Sequence, residues 1–436
     1  MNGAHKQSIE EQEKAKFSFS GATLYGINAV IGSGIFLLPQ KIYAGLGPAS
    51  LAVMLLSACL AETAGYFDKN GGAMQYSKAA FGDFVGFNVG ILGWAVTVIA
   101  WAAMLAGFAK IFIITFPAFE GYNLPISIVM LVLLSIMNIA GLKTSKMFTL
   151  TATVAKLIPI VLFSLFAIFF ISGGVSKGNF TPFLQLESGS NLFSAISSTA
   201  VYIFYGFIGF ETMSIVAGEM RNPEKNVPRA ILGSISIVSV LYMLIIAGTI
   251  AMLGGRIMET GAPVQDAFVE MIGPIGAPLV SYGALISIAG LNIGESIMVP
   301  RFGAALADEK LLPADLGKTN SKNAPVIAII ISGAFAFLLL LSGSFESLAT
   351  FSVVFRFFQY IPTALAAIKL RKMYPDKKVT FRVPFGPVIP VLAVVISILM
   401  IAGDNMMNFV WGVVGLAISS GLYFVFHSNK GIKPTK

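Results

Sequence analysis

The chain has 436 residues, of which 56% are hydrophobic and 11% are charged, whereas charged residues make up about 25% of an average soluble domain. So few charges cannot cover a water-facing surface, which excludes a soluble globular protein. The formal net charge of +8 comes from basic residues scattered through short loops, without the continuous patch that nucleic-acid binding requires. The composition therefore predicts a membrane protein that binds no nucleic acid.

Residue types that carry metal or covalent chemistry are scarce. Cys59, the one cysteine, excludes an intramolecular disulfide and a thiolate cluster, and it is best interpreted as a small apolar helix residue. His5 and His427 are the two histidines and lie near the termini, which excludes a His-built metal or catalytic site. We therefore expect no enzyme activity, no metal and no cofactor, and a function based on non-covalent binding.

Apolar runs of about 20 residues, enough to cross a hydrocarbon core of about 30 Å, recur along the whole chain. Residues 1–16 are polar and mixed in charge, unlike a cleaved signal peptide, so we expect the first run to remain in the mature protein. The predicted spans are 17–40, 48–67, 84–116, 124–141, 147–172, 192–217, 229–253, 278–303, 325–342, 346–368, 387–403 and 408–426.

The distribution of lysine and arginine tests these spans, because both residues concentrate in cytoplasmic loops. Basic residues occur in both tails and in every second loop, whereas only Lys41, Lys177 and Arg256 fall in the intervening loops. This pattern predicts a multi-pass protein of the cell membrane with both termini in the cytoplasm.

Two of the predicted spans are interrupted near their middles. The first carries Gly32-Ser33-Gly34, and the sixth carries Gly206 and Gly209 beside aromatic residues; each glycine costs about 1 kcal/mol of helix propensity relative to alanine. Main-chain groups freed within a bilayer need partners, so unwound segments occur where they line a cavity or bind something. Matching breaks five spans apart predict a transporter site at the membrane midplane. Alternatively, these glycines are small packing positions between helices.

The break in the first span also suggests a ligand. A half-helix that begins near Ser33 presents free N–H groups and the positive end of a helix dipole, which suit a carboxylate. Unwound carbonyls before it suit an ammonium group. An α-amino acid carries both groups on one carbon.

Ionisable residues within the spans are a second set of candidates, because such residues are costly in lipid and usually functional. They include Glu62, Lys156, Glu211, Glu295 and Arg356. Lys156 and Glu211 are candidate proton carriers. For Glu62 and Arg356, a structural ion pair or a location near the interface is an equal alternative.

Four aromatic residues lie nearest to the breaks: Tyr25, Phe204, Tyr205 and Phe207. They could wall a substrate pocket or occlude it. For each of them ordinary helix packing is the alternative.

Five groups of residues form motifs that cover almost the whole chain. They are Ile31-Gly32-Ser33-Gly34-Ile35-Phe36 with Pro39; Asn70-Gly71-Gly72 with Tyr76 and Phe81-Gly82; Gly209-Phe210-Glu211 with Glu219, Asn222-Pro223 and Val227-Pro228-Arg229-Ala230; Arg301 with Ala307-Asp308 and Leu311-Leu312-Pro313, the weakest group; and Arg382-Val383-Pro384 with Gly386-Pro387. In this order the motifs resemble those of the amino acid, polyamine and organocation (APC) transporter superfamily, specifically bacterial amino acid permeases and antiporters.

The resemblance implies an all-α LeuT-type fold with twelve transmembrane helices: a five-plus-five inverted repeat and two additional helices. The implied divisions are a tail at 1–16, repeats at 17–172 and 192–368, additional helices at 387–426 and a tail at 427–436. It also implies alternating access around a site formed by the first, third, sixth, eighth and tenth spans. The second span is shorter here than is usual in relatives, which leaves the role of Glu62 open.

The resemblance implies a site as well. Family members bind the substrate carboxylate at the glycine-serine-glycine break and the amino group at carbonyls of the sixth-span break. The predicted substrate-binding residues are Ala29, Val30, Ser33, Gly34, Ile35, Phe204, Tyr205, Phe207 and Gly209, and the predicted coupling or gating residues are Lys156, Glu211, Tyr25 and Glu295. Lys156 resembles the fifth-span lysine that, in many sodium-independent relatives, replaces the coupling sodium ion.

We therefore expect a sodium-independent secondary transporter of amino acids, and specifically an antiporter that exchanges amino acids or an amino acid for its amine. A proton-coupled symporter and a non-transporting nutrient receptor are the alternatives. The expected partners are the small-molecule substrate and the lipid bilayer, without an obligate protein partner. Glu211 and Glu295 leave a cationic substrate open, whereas aromatic residues near the breaks suit a neutral one.

Overall fold

A computed structural model of the chain describes residues 18–32, 34–37, 48–68, 72–141, 146–181, 192–215, 217, 220–403 and 406–428. Several predicted features lie outside these ranges: Ser33, Pro39, Asn70, Gly71, Glu219 and the tails at 1–16 and 429–436.

The described residues fold into helices joined by turns and short loops. In chain order the α-helices are α1 (Phe19–Val30), α2 (Gly34–Leu37), α3 (Pro48–Ala64), α4 (Gly72–Phe81), α5 (Asp83–Thr115), α6 (Asn123–Ile139), α7 (Lys146–Ser176), α8 (Leu192–Phe207), α9 (Thr212–Ile215), α10 (Pro223–Leu253), α11 (Pro263–Ile272), α12 (Gly276–Asp308), α13 (Val326–Ser342), α14 (Phe345–Met373), α15 (Val388–Gly403) and α16 (Met406–Ser428). Short 3₁₀ turns occur at Pro117–Phe119, Gly254–Met258 and Ala314–Gly317.

Within the described residues, six helical segments are long and apolar enough to cross a membrane: Asp83–Thr115, Lys156–Ser176, Pro223–Met258, Gly276–Asp308, Phe345–Met373 and Met407–Phe426. Shorter apolar helices lie at Leu55–Ala64, Asn123–Ile139, Val326–Ser342 and Val388–Ala402. The prediction of an all-helical, polytopic membrane protein is confirmed at this level.

Large apolar side chains cover much of the outer surface. On α6, for example, Val129, Val132, Leu133 and Ile136 are all exposed, although a soluble monomer rarely exposes a large apolar patch. Lipid tails are a suitable solvent for this surface. The interior holds many of the polar and charged side chains instead, which fits helices that enclose a polar site.

Two sets of helix contacts position the interrupted segments. The helix α10 packs along α1 and α7, and α5 packs against α12 and α14. Small residues allow the α7–α10 approach, since a Cβ atom on Gly248 would lie 2.5 Å from the Cβ of Ala167. Close packing of small residues is a usual way to associate helices in lipid, where the hydrophobic effect does not drive helix association.

The short second span ends beside a buried ion pair. The helix α3 stops at Ala64, and α4 begins as a separate helix at Gly72. On α3, Glu62 is fully buried and accepts hydrogen bonds from both Nε and Nη2 of Arg371. Glu62 therefore forms a structural ion pair, which was one of the two alternatives for this residue in the sequence analysis.

The same ion pair holds the loop that follows α14. The main-chain N–H of Val383 donates to Glu62 Oε2 at 2.8 Å, and Arg371 Nη2 donates to the Val383 carbonyl at 2.9 Å. Val383 is the middle residue of the Arg-Val-Pro motif. The motif therefore joins the end of α3 to the end of α14.

We expect Arg371→Ala to lower the free energy of unfolding by about 3 kcal/mol or more, because it leaves the buried carboxylate of Glu62 without its cation. Thermal unfolding of the purified protein in detergent measures the effect. The control is Lys372→Ala, since Lys372 is exposed on the same helical turn. Equal melting temperatures for the two variants would contradict a stabilising role for the pair.

Candidate functional site

The first break interrupts the main chain between α1 and α2. The helix α1 ends at Val30, Ile31 adopts an extended conformation with φ −73° and ψ 100°, and α2 begins at Gly34. The predicted interruption of this segment is therefore present in its described residues.

The second break lies between α8 and α9. The helix α8 ends at Phe207, residues 208–211 form a turn, and α9 begins at Thr212. Gly209 has φ +119°, a conformation that residues with a side chain rarely adopt. The glycine thus allows the main chain to turn at this point.

The two breaks touch each other through their main chains. A Cβ atom on Gly209 would lie 2.3 Å from the carbonyl oxygen of Ala29, and a Cβ atom on Gly34 would lie 2.9 Å from the Cα of Gly206. No side chain fits at either contact. The glycines are therefore required because the two main chains approach each other closely.

A tyrosine on α10 connects the two breaks. The hydroxyl of Tyr242 donates a hydrogen bond to the carbonyl of Gly206 at 2.9 Å and lies 3.4 Å from the carbonyl of Val30. It thus satisfies main-chain oxygen atoms that the interrupted helices leave free. Tyr242 was not predicted from the sequence, because it lies in an apolar span without a break or a charge.

A small cavity lies between the breaks. It has a volume of about 10 Å³ and is lined by Val30, Gly32, Gly34, Met104, Tyr205, Gly206 and Ile208. This volume suffices for about one water molecule and is too small for an amino acid.

Lys156 extends from α7 to the last turn of α1. Its Nζ donates to the carbonyls of Asn28 at 2.6 Å and Ile31 at 2.8 Å, and its side chain is almost fully buried. Charge-assisted hydrogen bonds are stronger than neutral ones. Lys156 therefore stabilises the end of α1 where its carbonyls lack helical partners.

Glu211 connects the second break to α14. Its Oε1 lies 3.0 Å from Nη1 of Arg356, and its Oε2 accepts hydrogen bonds from the hydroxyl of Tyr360 at 2.7 Å and from the N–H of Gly209 at 3.1 Å. Glu211, Arg356 and Tyr360 are all buried. Arg356 also donates to Gln359 at 3.1 Å. The turn at the second break is thus fixed by a buried, paired carboxylate.

The two remaining predicted gating residues lie at the α1–α12 contact. The hydroxyl of Tyr25 donates to Sδ of Met298 at 3.3 Å. Glu295 is half-buried on α12, where its charge interacts with those of Arg356 and Glu211. Glu295 is therefore part of the electrostatic environment of the second break.

The predicted aromatic residues differ in what they contact. Tyr205 lines the cavity. Phe204 packs on Phe357, with ring centroids 4.7 Å apart, and Phe207 packs on Tyr242 at 5.1 Å. The side chains of Phe204 and Phe207 are thus core residues, so a role in substrate binding would fall to their main-chain groups.

Comparison with known proteins identifies the family of this chain. A family model described as amino acid permease matches residues 17–427. The chain belongs to the amino acid permease family. This family lies in the APC superfamily that the motifs predicted.

Three relatives of the permease match most of its length. An uncharacterized transporter of Mycobacterium tuberculosis is 31% identical over 88% of this chain and 86% of its own. The serine/threonine exchanger of Bacillus subtilis is 28% identical over 91% of this chain and 94% of its own. The methylthioribose transporter of the same species is 26% identical over 96% of both chains.

Several predicted site residues meet in the permease around the cavity or at its edge. Val30, Gly34 and Tyr205 line the cavity, and Ala29 contacts Gly209 beside it. Ile35 is buried but does not line the cavity. Their roles in substrate binding stay predictions.

The sequence reasoning missed Met104 as a cavity residue, because a methionine in a long apolar span carries no distinguishing signal. It also missed the hydrogen bond between Tyr360 and Glu211. Arg356 was recognised as an ionisable residue within a span, but its partner could not be identified from spacing.

We expect Gly209→Ala to destabilise the permease by at least about 2 kcal/mol, because a β-carbon would strain the positive φ and collide with Ala29. The melting temperature in detergent measures the change. Gly261→Ala is the control, since a Cβ atom at that exposed glycine would meet open space. If the two variants have the same melting temperature, the close contact between Gly209 and Ala29 does not contribute to stability.

Proposed function

We propose that this permease is a sodium-independent secondary transporter that exchanges amino acids, or an amino acid for its amine, by alternating access. One observation carries the proposal: two interrupted helices of an amino acid permease meet, main chain to main chain, around a cavity. Unwound segments inside a bilayer are costly unless they line a binding site. Discontinuous helices at repeat interfaces are the usual substrate sites of secondary transporters.

In this proposal, the main-chain groups of both breaks bind the substrate backbone. The amides of Ser33, Gly34 and Ile35 receive the carboxylate, and carbonyls near Ala29 and Val30 and near Phe204 and Tyr205 receive the ammonium group. The cavity between Val30, Gly34 and Tyr205 supports this arrangement. Substrate entry would enlarge it as the breaks move apart.

Sodium independence is supported by Lys156. Its ammonium group lies on two carbonyls of the first break, which are the kind of oxygen ligand that a sodium ion would use. A second cation at the same oxygen atoms would meet strong repulsion in this buried environment. The lysine ammonium group thus takes the place that a coupling ion would occupy.

Exchange is supported by the relationship to a serine/threonine exchanger. Proton-coupled symport is a second candidate, and the half-buried carboxylate of Glu295 favours it, because such a group could carry a proton. A non-transporting receptor is the third candidate. It would bind amino acids saturably without moving them.

We further propose that residues 17–172 and 192–368 form the two five-helix repeats of a LeuT-type fold with twelve transmembrane helices, followed by two helices at 387–426. The positions of the breaks in the first and sixth spans support this division. The distribution of basic residues supports cytoplasmic termini in the cell membrane. The permease would need only its substrate and the bilayer as partners.

Counterflow in proteoliposomes tests the function. We expect labelled amino acid to accumulate only in vesicles preloaded with an unlabelled amino acid or amine, and to ignore an imposed sodium gradient. If a pH gradient drives uptake into empty vesicles, the protein is a proton symporter and the proposal of exchange is wrong. Saturable binding without flux in either direction would identify a receptor.

We expect Lys156→Met to reduce exchange at least about tenfold, because two buried carbonyls of the first break lose a charged donor. Initial rates with and without sodium measure the effect. If the variant becomes dependent on sodium, this would support the proposal that Lys156 takes the place of a coupling sodium ion. The control is Lys369→Met, since Lys369 is exposed near the end of α14. An unchanged exchange rate for Lys156→Met would remove the lysine from the mechanism.

A further inference from the structure

We propose that Glu295 makes the permease selective for substrates with a second positive charge, such as a basic amino acid or a diamine. The inference rests on the proposed transport function and specifies its substrate class. The site is the contact between α1 and α12, beside the first break.

Three residues on one face of α12 define the position of Glu295. Leu291 and Met298 lie one turn before it and one turn after it, so all three share a helix face. Leu291 lies 3.4 Å from the position of a Cβ atom on Gly32, and Met298 accepts the hydrogen bond of Tyr25. Both contacts are made to the first interrupted segment, so Glu295 faces that segment between them.

Neighbouring residues of α12 face elsewhere. Asn292 donates to the carbonyl of Met104 on α5 at 3.1 Å, and the carbonyl of Ser296 accepts a hydrogen bond from Asn138 on α6. These contacts fix the rotation of α12 about its axis. Glu295 is thus held on the side of α1 by packing on the other side.

The charges around Glu295 do not balance. Arg356 is fully buried and already engaged by Glu211 and Gln359. Among the described residues, no ion pair or hydrogen bond engages the carboxylate of Glu295. Glu211 and Arg356 neutralise each other, so Glu295 adds an unpaired negative charge to this group, while the ammonium group of Lys156 lies at carbonyls of the first break.

A carboxylate without an ion-pair partner within a span favours a cationic ligand. An unpaired carboxylate is costly away from water, and a cation that arrives with the substrate would remove that cost. A substrate with an acidic side chain would be repelled by Glu295, and the guanidinium group of Arg356 is already paired with Glu211. The electrostatics therefore favour cationic over neutral substrates and oppose anionic ones.

The distances also fit. Leu291 contacts the first break, and Glu295 lies one turn away, about 6 Å along the helix axis. This is about the reach of the four-carbon stem of lysine. A substrate whose carboxylate and α-ammonium groups lie at the breaks would thus bring its terminal cation to Glu295.

A matched pair of ligands tests the selectivity without any mutation. Lysine and norleucine differ chiefly in the terminal ammonium group, so we expect the permease to bind lysine at least about tenfold more tightly, as a charged hydrogen bond in a partly buried site allows. Thermal shift against ligand concentration gives both affinities. Equal affinities would overturn the proposal and leave amino acid transport intact.

The variant Glu295→Gln keeps the shape of the side chain and removes its charge. We expect it to lose the preference for lysine and to keep its affinity for norleucine, whereas Glu309→Gln, at an exposed acid just after α12, should behave like the parent protein. Equal losses for both ligands would overturn the selective role. So would an unchanged lysine preference in Glu295→Gln.

Counterflow separates this proposal from the transport function. If lysine binds in a way that depends on Glu295 but is not transported, the result would support the cation subsite and reject transport. Flux of neutral amino acids alone would support transport and reject the subsite. If Glu295→Gln removes only the pH dependence of neutral uptake, the residue carries a proton and the proposed subsite is wrong.

Discussion

A main chain that leaves the helix inside a bilayer must form its hydrogen bonds with protein, because lipid offers no partner. In this permease the two breaks lie against each other, and side chains from three other helices complete them. Lys156 serves the first break, Glu211 and Tyr360 stabilise the second, and Tyr242 contacts both. The hydrogen bonds that the main chain of these two short non-helical segments needs therefore determine how five helices pack together: α1, α7, α8, α10 and α14.

Charged side chains inside the spans also need partners within the protein, and the partners differ from one charged group to the next. The carboxylates of Glu62 and Glu211 each face an arginine, whereas Lys156 donates to main-chain carbonyls. Paired groups at a helix end or a turn hold elements together and leave little net charge. Glu295 differs because, among the described residues, the charged groups that it interacts with, Arg356 and Glu211, already pair with each other. Lys156 and Glu295 thus form no ion pair with the described residues, and an incoming charge matters most where such groups lie.

The apolar helices and the two breaks could be predicted because each depends on local properties of the sequence. Long apolar runs mark the helices, and a glycine such as Gly209 marks a point where two main chains come too close for a side chain. Partners could not be predicted, because they depend on how distant segments pack: Arg371 lies 309 residues after Glu62. The orientation of aromatic residues was hidden for the same reason. Phe204 and Tyr205 are adjacent, yet one packs in the core and the other lines the cavity.

The size of the cavity has a consequence for the passage of ions through the site. With space for about one water molecule, the cavity between the two breaks cannot hold a continuous file of water. Protons and inorganic ions need such a file, or a series of polar groups, to cross the hydrocarbon region. In this conformation the cavity itself therefore offers ions no water-filled path from one break to the other.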